Sequence, residues 1–101
     1  MVHRGVQIPS DKIADFCRKH RIRKLSLFGS ILREDFGPGS DIDILIEFEP
    51  GRRIGLIGLA GVEEELSDLL GRKVDLNTPG FLGDHFREQV LREAQVQYVA
   101  A

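Results

Sequence analysis

The stretch LFGSILREDFGPGSDIDILIEF, residues 27–48, decides the fold. It contains a Gly-Ser pair, then a spacer, and then Asp41-Ile42-Asp43 at the start of an apolar run. Alternation along a strand places Asp41 and Asp43 on one face, roughly 6–7 Å apart, and Ile42 on the other. Two carboxylates at that separation repel each other unless a positive group lies between them. The stretch therefore predicts a rigid strand whose acid pair holds divalent cations through oxygen.

The rest of the chain predicts alternating helices and strands. The expected elements are a helix over 11–20, a strand over 24–28, a helical turn over 30–35, a strand over 41–48, a helix over 56–70, a strand over 73–77 and a helix over 82–98. We expect Ser10 to cap the first helix and Gly71 to end the third. Because a helix connects the second and third strands, these strands are expected to be parallel.

This order predicts an α/β fold, with a single domain over residues 1–101. We expect a small mixed sheet of three or slightly more strands. The helices are expected to pack mainly on one face of that sheet, and the acids are expected to lie on its open face.

Composition narrows the classes of protein and partner. The chain has 101 residues, of which 42% are hydrophobic and 30% charged, as in globular domains. A net charge of -2 gives no global attraction to nucleic acid, so no direct nucleic-acid substrate is expected. No apolar run is long enough for a membrane span, and the first twelve residues lack the apolar core of a signal peptide. Cys17 has no second cysteine to pair with, which favours a core role and a cytoplasmic location.

A third acid and the Gly-Ser pair complete a candidate site. Asp75 lies in the short apolar strand "VDL", and if that strand neighbours the second, three carboxylates converge. Three carboxylates suit two Mg²⁺ ions that bridge a polyphosphate. Gly29 lets the backbone approach a ligand, while Ser30 and free N–H groups at the turn form an anion site that Arg33 can extend. A phosphate site opposite a metal-binding acid pair predicts a nucleoside triphosphate site.

The segments GSILREDFGPGSDIDILIEF and GRKVDLNTPG resemble the nucleotidyltransferase superfamily that includes DNA polymerase beta. They are most similar to its minimal nucleotidyltransferase (MNT) proteins, and the resemblance covers nearly the whole chain from Ser10. In that family the first two acids bind both metals, and the third binds one and helps to deprotonate the acceptor hydroxyl. The resemblance assigns these roles to Asp41, Asp43 and Asp75.

The resemblance also covers the phosphate-binding turn. Gly29 and Ser30 match the family's phosphate-binding pair, and Arg33 matches a basic position that follows it. Glu34 departs from the family pattern, because many members have glycine there. Simpler interpretations also exist for this turn, since Ser30 can serve as a helix cap alone and Arg33 can simply be solvated.

The resemblance implies a reaction and a partner. An acceptor hydroxyl would attack the α-phosphate of ATP, with Mg²⁺ as cofactor and pyrophosphate as leaving group. MNT proteins typically pair with HEPN-domain RNase toxins, and the implied acceptor is a toxin tyrosine. Two alternatives stay open: transfer to a small molecule, as in aminoglycoside nucleotidyltransferases, and an antitoxin that masks its toxin by contact alone. Both a homo-oligomer and a hetero-oligomer are compatible with these three possible functions.

Overall fold

The computed structural model describes residues 2–100. Its helices and strands are β1 (Val2–His3), β2 (Val6–Gln7), α1 (Ser10–His20), β3 (Ile22–Phe28), β4 (Ile42–Phe48), α2 (Leu56–Leu70), β5 (Val74–Asn77), α3 (Asp84–Glu93) and β6 (Gln95–Val99). Short 3₁₀ turns follow β3 at Gly29–Leu32 and β5 at Pro79–Phe81. Within residues 2–100, no helix is both long enough and apolar enough to span a membrane.

Four strands form one mixed sheet in the order β5-β4-β3-β6. β3 pairs in an antiparallel manner with β4 and with β6, whereas β4 and β5 are parallel. The predicted parallel pairing of β4 and β5 is therefore confirmed, and α2 forms the crossover that connects them. β1 and β2 form a separate antiparallel hairpin.

The main core lies between one face of this sheet and helices α1 and α2. On β4 it contains Ile42, Ile44 and Ile46, none of which is exposed to solvent. The two helices contribute Ile13, Phe16, Cys17, Val62, Leu66 and Leu70. The predicted core role of Cys17 is confirmed, and burial raises the pKa of its thiol to about 12, which makes it a poor nucleophile.

A smaller apolar cluster lies on the opposite face. Leu45 alternates with the core isoleucines of β4, so it faces the other way and packs with Phe28, Leu82 and Val90. Val90 belongs to α3, so this helix packs against the acid-bearing face. Two of the three helices share one face, as predicted, but the face that carries the acids is partly covered rather than open.

The predicted helix over 82–98 is wrong at both ends. α3 occupies only Asp84–Glu93, and Ala94 has an extended backbone with ψ 140° before β6 begins. The segment QVQYV alternates β-branched and aromatic residues with glutamines, and its backbone pairs with the free edge of β3. Pairing with a strand distant in sequence therefore overrides the local helical spacing. Tyr98, expected on a helix, lies opposite Leu25 of β3.

Smaller differences concern element ends. Ser10 is not the cap of α1, because Pro9 holds the cap position and no side chain caps the helix. The helical turn ends at Leu32 rather than at residue 35. α2 has the predicted bounds, and Gly71 ends it with φ 69°, a conformation that glycine adopts readily. Phe86 and Leu91, two large apolar residues of the predicted helix over 82–98, are 53% and 45% exposed.

Candidate active site

The turn after β3 is fixed by a glycine. Gly29 has φ +72°, a left-handed conformation that side chains with a Cβ rarely adopt. A Cβ placed there would also collide with the carboxylate of Asp43, whose Cγ would lie only 3.0 Å away. Glycine is therefore required twice at this position, for the backbone turn and for the space that the acid occupies.

Asp41 and Asp43 lie at the start of β4, as their spacing predicts. Asp41 immediately precedes the strand, and its side chain is 45% exposed. Its carboxylate lies 3.9 Å from the ammonium group of Lys73, which is itself well exposed. Asp43 is half-buried and lies opposite Phe28, the last residue of β3. The two acids thus occupy different environments although only one residue separates them.

Asp75 joins the pair across the parallel strands. In the register between β4 and β5, Asp43 is aligned with Asp75, and aligned residues of neighbouring strands present their side chains on the same face. The two carboxyl groups are close enough for a side-chain hydrogen bond to affect Asp43. Among the residues that the structure describes, the predicted convergence is therefore observed for the pair Asp43 and Asp75, and not for a cluster of all three acids.

Burial raises the pKa of the Asp43 carboxyl above its ordinary value. A hydrogen bond from the backbone N–H of Ser30 opposes that rise, whereas the carboxylates of Asp75 and Asp41 add to it. Burial is the largest cause of this rise, and the two neighbouring carboxylates add like charge to it. Such a site favours a cation.

Ser30 contributes through its backbone and its hydroxyl. Its N–H donates to Asp43, and its Oγ donates to the carbonyl oxygen of Asp41 at 3.5 Å. The N–H that was expected to be free for phosphate thus lowers the pKa of the Asp43 carboxyl, against the effect of burial. The Gly-Ser turn and the acid strand are therefore tied directly to each other.

A cavity of about 350 Å³ brings several predicted residues together. Asp43, Asp75, Gly29 and Arg33 all line it, and its volume lies within the usual range for small-molecule sites. Arg33 is exposed and its Nε lies 3.4 Å from a carboxylate oxygen of Asp35, so its guanidinium is only loosely held. Asp41 and Ser30 do not line the cavity, although both contact the turn or the strand that does.

The opposite wall comes from residues that the sequence analysis did not single out. They are Phe86, Gln89, Val90 and Glu93 of α3, whereas Phe28 of β3 and Asn77 of β5 extend the lining on the sheet side. The spacing of the α3 residues at three and four positions indicates one helix face. That signal was visible in the sequence, but nothing in it showed that this face lies opposite the acids.

The donor chemistry of the site fits magnesium. All three acids supply carboxylate oxygens, the ligands that Mg²⁺ prefers, and the repulsion around Asp43 gives the site a reason to bind a cation. Within residues 2–100, no three Asp, Glu, His or Cys side chains form a ready-made cage around one ion. Mg²⁺ commonly keeps several waters and takes only one or two carboxylates, so the pair of Asp43 and Asp75 with Asp41 nearby is a suitable set.

Comparison with known proteins identifies the family. A family model described as "Nucleotidyltransferase domain" matches residues 10–96. The chain belongs to the nucleotidyltransferase family. The resemblance stated from the sequence motifs is therefore confirmed, and so is the prediction that the chain is an enzyme of the nucleotidyl-transfer class.

Relatives and solved structures refine this nucleotidyltransferase assignment. A Methanocaldococcus jannaschii protein with the provisional name protein adenylyltransferase MJ0435 is 36% identical over 83 residues, covering 82% of this chain and 87% of the relative. A toxin–antitoxin structure with AMP-PNP superposes with a TM-score of 0.74 at 21% identity, covering 92% of this chain and 75% of the other. A tri-AMPylated Shewanella oneidensis HEPN toxin in complex with an MNT antitoxin gives 0.66 at 22% identity, covering 90% and 70%. At these identities the two structures establish the nucleotidyltransferase fold.

Proposed function

We propose that this nucleotidyltransferase is an antitoxin that transfers AMP from ATP to a tyrosine hydroxyl of a HEPN-domain toxin. We also propose that residues 1–101 act as one minimal domain. The relative named as a protein adenylyltransferase supports the choice of a protein acceptor. The AMP-PNP structure supports ATP as the donor, and the AMPylated HEPN toxin supports the acceptor.

One observation carries the proposal. Asp43 is aligned with Asp75 across parallel strands, at a cavity that Gly29 and Arg33 also line. A purely structural acid pair would be stabilised by a neighbouring cation, and among the side chains that the structure describes none forms an ion pair with Asp43. Holding two carboxylates together on rigid strands instead suits the positioning of charged reactants.

Each acid has a proposed role. Asp41, Asp43 and Asp75 would hold Mg²⁺, which when bound neutralises triphosphate charge and makes the acceptor hydroxyl easier to deprotonate. Asp75 is well exposed and lies beside Asp43, so it is the acid best placed to accept the proton of an incoming tyrosine hydroxyl.

The turn would bind the donor. Ser30 and Gly29 would contact the triphosphate, and the loosely held Arg33 would turn toward it from its place on the cavity wall. In the reaction the tyrosine oxygen forms a bond to the α-phosphorus. The bond between that phosphorus and the bridging oxygen breaks, and pyrophosphate leaves with its electron pair.

The test is intact-mass spectrometry of a HEPN-domain toxin incubated with this chain, ATP and Mg²⁺. We expect the toxin to gain one or more AMP masses, and peptide mapping to locate them on tyrosine. Asp43→Asn removes one metal-binding charge and should slow the gain by at least about 100-fold. Asp68→Asn makes the same change at an exposed position of α2 and should leave the rate unchanged.

Other outcomes would support a different function. If the toxin were neutralised without any mass gain, and equally well by the Asp43→Asn variant, the chain would act by binding alone. If pyrophosphate were released with an aminoglycoside and no protein acceptor, the small-molecule reaction would replace the proposed one. If removal of Mg²⁺ with EDTA left the rate of AMP transfer unchanged, the proposed metal dependence would be wrong.

A further inference from the structure

The segment over 33–40 joins the Gly-Ser turn to the acid strand. It contains neither helix nor strand, and its centre is Gly37-Pro38-Gly39. Glycine accepts many backbone conformations, so this sequence alone does not hold one shape. The segment nevertheless helps to place Asp41, because it ends immediately before that acid and β4 begins immediately after it. Local hydrogen bonds join Gly37 and Ser40 within it, and a residue outside the segment adds further contacts.

Arg72 makes the contacts that hold the segment. Its Nη2 donates to the carbonyl oxygens of Gly37 at 2.9 Å and of Ser40 at 2.7 Å. Its guanidinium also lies over the ring of Phe36, 4.9 Å from the centroid, in cation–π geometry. The segment also forms a turn of its own, in which the N–H of Ser40 donates to the carbonyl oxygen of Gly37 at 3.0 Å.

The position of Arg72 follows from the fold. It comes directly after Gly71, which ends α2, and directly before Lys73, whose carbonyl accepts the N–H of Ile42 at 2.9 Å. Arg72 is thus held beside the first residue of β4. Among residues 2–100, no carboxylate forms an ion pair with Arg72. Its guanidinium N–H groups donate instead to backbone carbonyl oxygens of the segment.

We infer that Arg72 is a positioning residue for nucleotidyl transfer: it fixes the segment over 33–40 and thereby the placement of Asp41 against the Gly-Ser turn. The link to the turn is direct, because Ser30 Oγ donates to the carbonyl of Asp41. Arg72 does not line the cavity and need not touch ATP. This inference rests on the proposed function for its kinetic consequence, but not for its structural one.

Only arginine suits these contacts. Its planar guanidinium can stack on a ring while its edge donates to two carbonyls, whereas the ammonium of lysine is a point charge without a stacking face. A misplacement of about 1 Å in a catalytic group can cost about 100-fold in rate. We therefore expect activity to fall in the order wild type, Arg72→Lys, Arg72→Met.

The kinetic test uses these two variants with the HEPN toxin as acceptor. Arg72→Met should lower kcat by about 10- to 100-fold with a smaller change in the KM for ATP, because Asp41 is misplaced while the phosphate turn remains. Higher Mg²⁺ should be needed for half-maximal rate. Arg18→Met is the matched control, since Arg18 forms an exposed pair with Asp15 on α1, and it should leave kcat unchanged.

Hydrogen exchange supplies a readout that does not need activity. Arg72→Met should speed exchange of the Ser40 amide, whose bond to Gly37 depends on the held segment, while core amides of β4 exchange as before. Unchanged exchange together with wild-type kcat would overturn the inference. Equal loss of protection throughout β4 would also overturn it, because Arg72 would then only stabilise the fold. If wild-type protein transferred no AMP, the proposed function would fail while the exchange result still decided the role of Arg72.

Discussion

The two faces of β4 share one backbone but carry opposite chemistry. Toward α1 and α2, Ile42, Ile44 and Ile46 are completely buried in the main core. Toward the cavity, Asp43 is half-buried beside another acid, with a pKa that burial and like charge raise. The isoleucines fix the strand through burial, so the backbone does not yield to the repulsion on its other side. The comparison suggests that stability and chemistry can be changed separately, one face at a time.

The largest combined effect on activity and stability is expected at Gly29, where the Gly-Ser turn meets the acid-bearing face of β4. Gly29→Ala should lower kcat for AMP transfer by about 100-fold, because the new methyl displaces the Asp43 carboxylate. The forced left-handed backbone should also lower the free energy of unfolding by about 1–2 kcal/mol. Steady-state kinetics and urea unfolding of the purified variant measure the two effects.

Gly51 provides a matched control for that prediction. It has φ +86°, but nothing lies within 4 Å of a Cβ built there. Gly51→Ala should therefore lose a similar amount of stability and keep its kcat. If both variants lost activity equally, backbone strain rather than displacement of Asp43 would be the cause.

The difference between the faces also explains what the sequence could predict. Alternation placed Asp41 and Asp43 on one face, and the helical crossover implied that the strand containing Asp75 is parallel to theirs. Both arguments use local patterns with a fixed geometry. They were sufficient to bring Asp43 and Asp75 together, and the glycine at the end of α2 was sufficient for the C-terminal boundary of that helix.

The other wall of the cavity could not be predicted in this way. β6 forms because β3 has a free edge, and no local pattern in QVQYV specifies that pairing. The predicted helix over 82–98 includes the β6 segment, so α3 is shorter than expected, and no pattern placed Gln89 and Glu93 at the cavity. Contacts between elements distant in sequence decide both features, so they become visible only in the folded chain.

A smaller effect is expected on the packed face of β4. Ile44→Val removes one methylene from a fully buried side chain and should cost about 0.5–1.5 kcal/mol of unfolding free energy. The kcat should stay within about twofold of wild type, because the strand keeps its register. Thermal unfolding and kinetics on the same sample provide the measurement. Val99→Ala, at a side chain that is 59% exposed, should change neither quantity. A tenfold loss of kcat in Ile44→Val would mean that the two faces are not separable.

The smallest effect is a pH dependence of stability that arises from Asp43. Because burial raises the pKa of this carboxyl in the folded state, the folded chain binds the proton more tightly than the unfolded chain does. The stabilising contribution is therefore complete below the ordinary carboxyl pKa and is lost as pH rises through the raised one. Asp43→Asn keeps an oxygen that can accept the Ser30 N–H but removes the titration. Urea unfolding from about pH 3.5 to about pH 7 should show wild type losing stability relative to this variant.

Asp68→Asn tests whether that pH dependence of stability arises on the acid-bearing face of β4. It removes the same charge from an exposed position on α2. Because Asp68→Asn retains Asp43, its stability relative to Asp43→Asn should still fall as pH rises. If wild type instead gained stability relative to Asp43→Asn as pH rose, Asp43 would be better stabilised as an anion than burial and its acidic neighbours allow. The repulsion that gives the site its affinity for a cation would then be absent, and the contrast between the two faces of β4 would reduce to exposure alone.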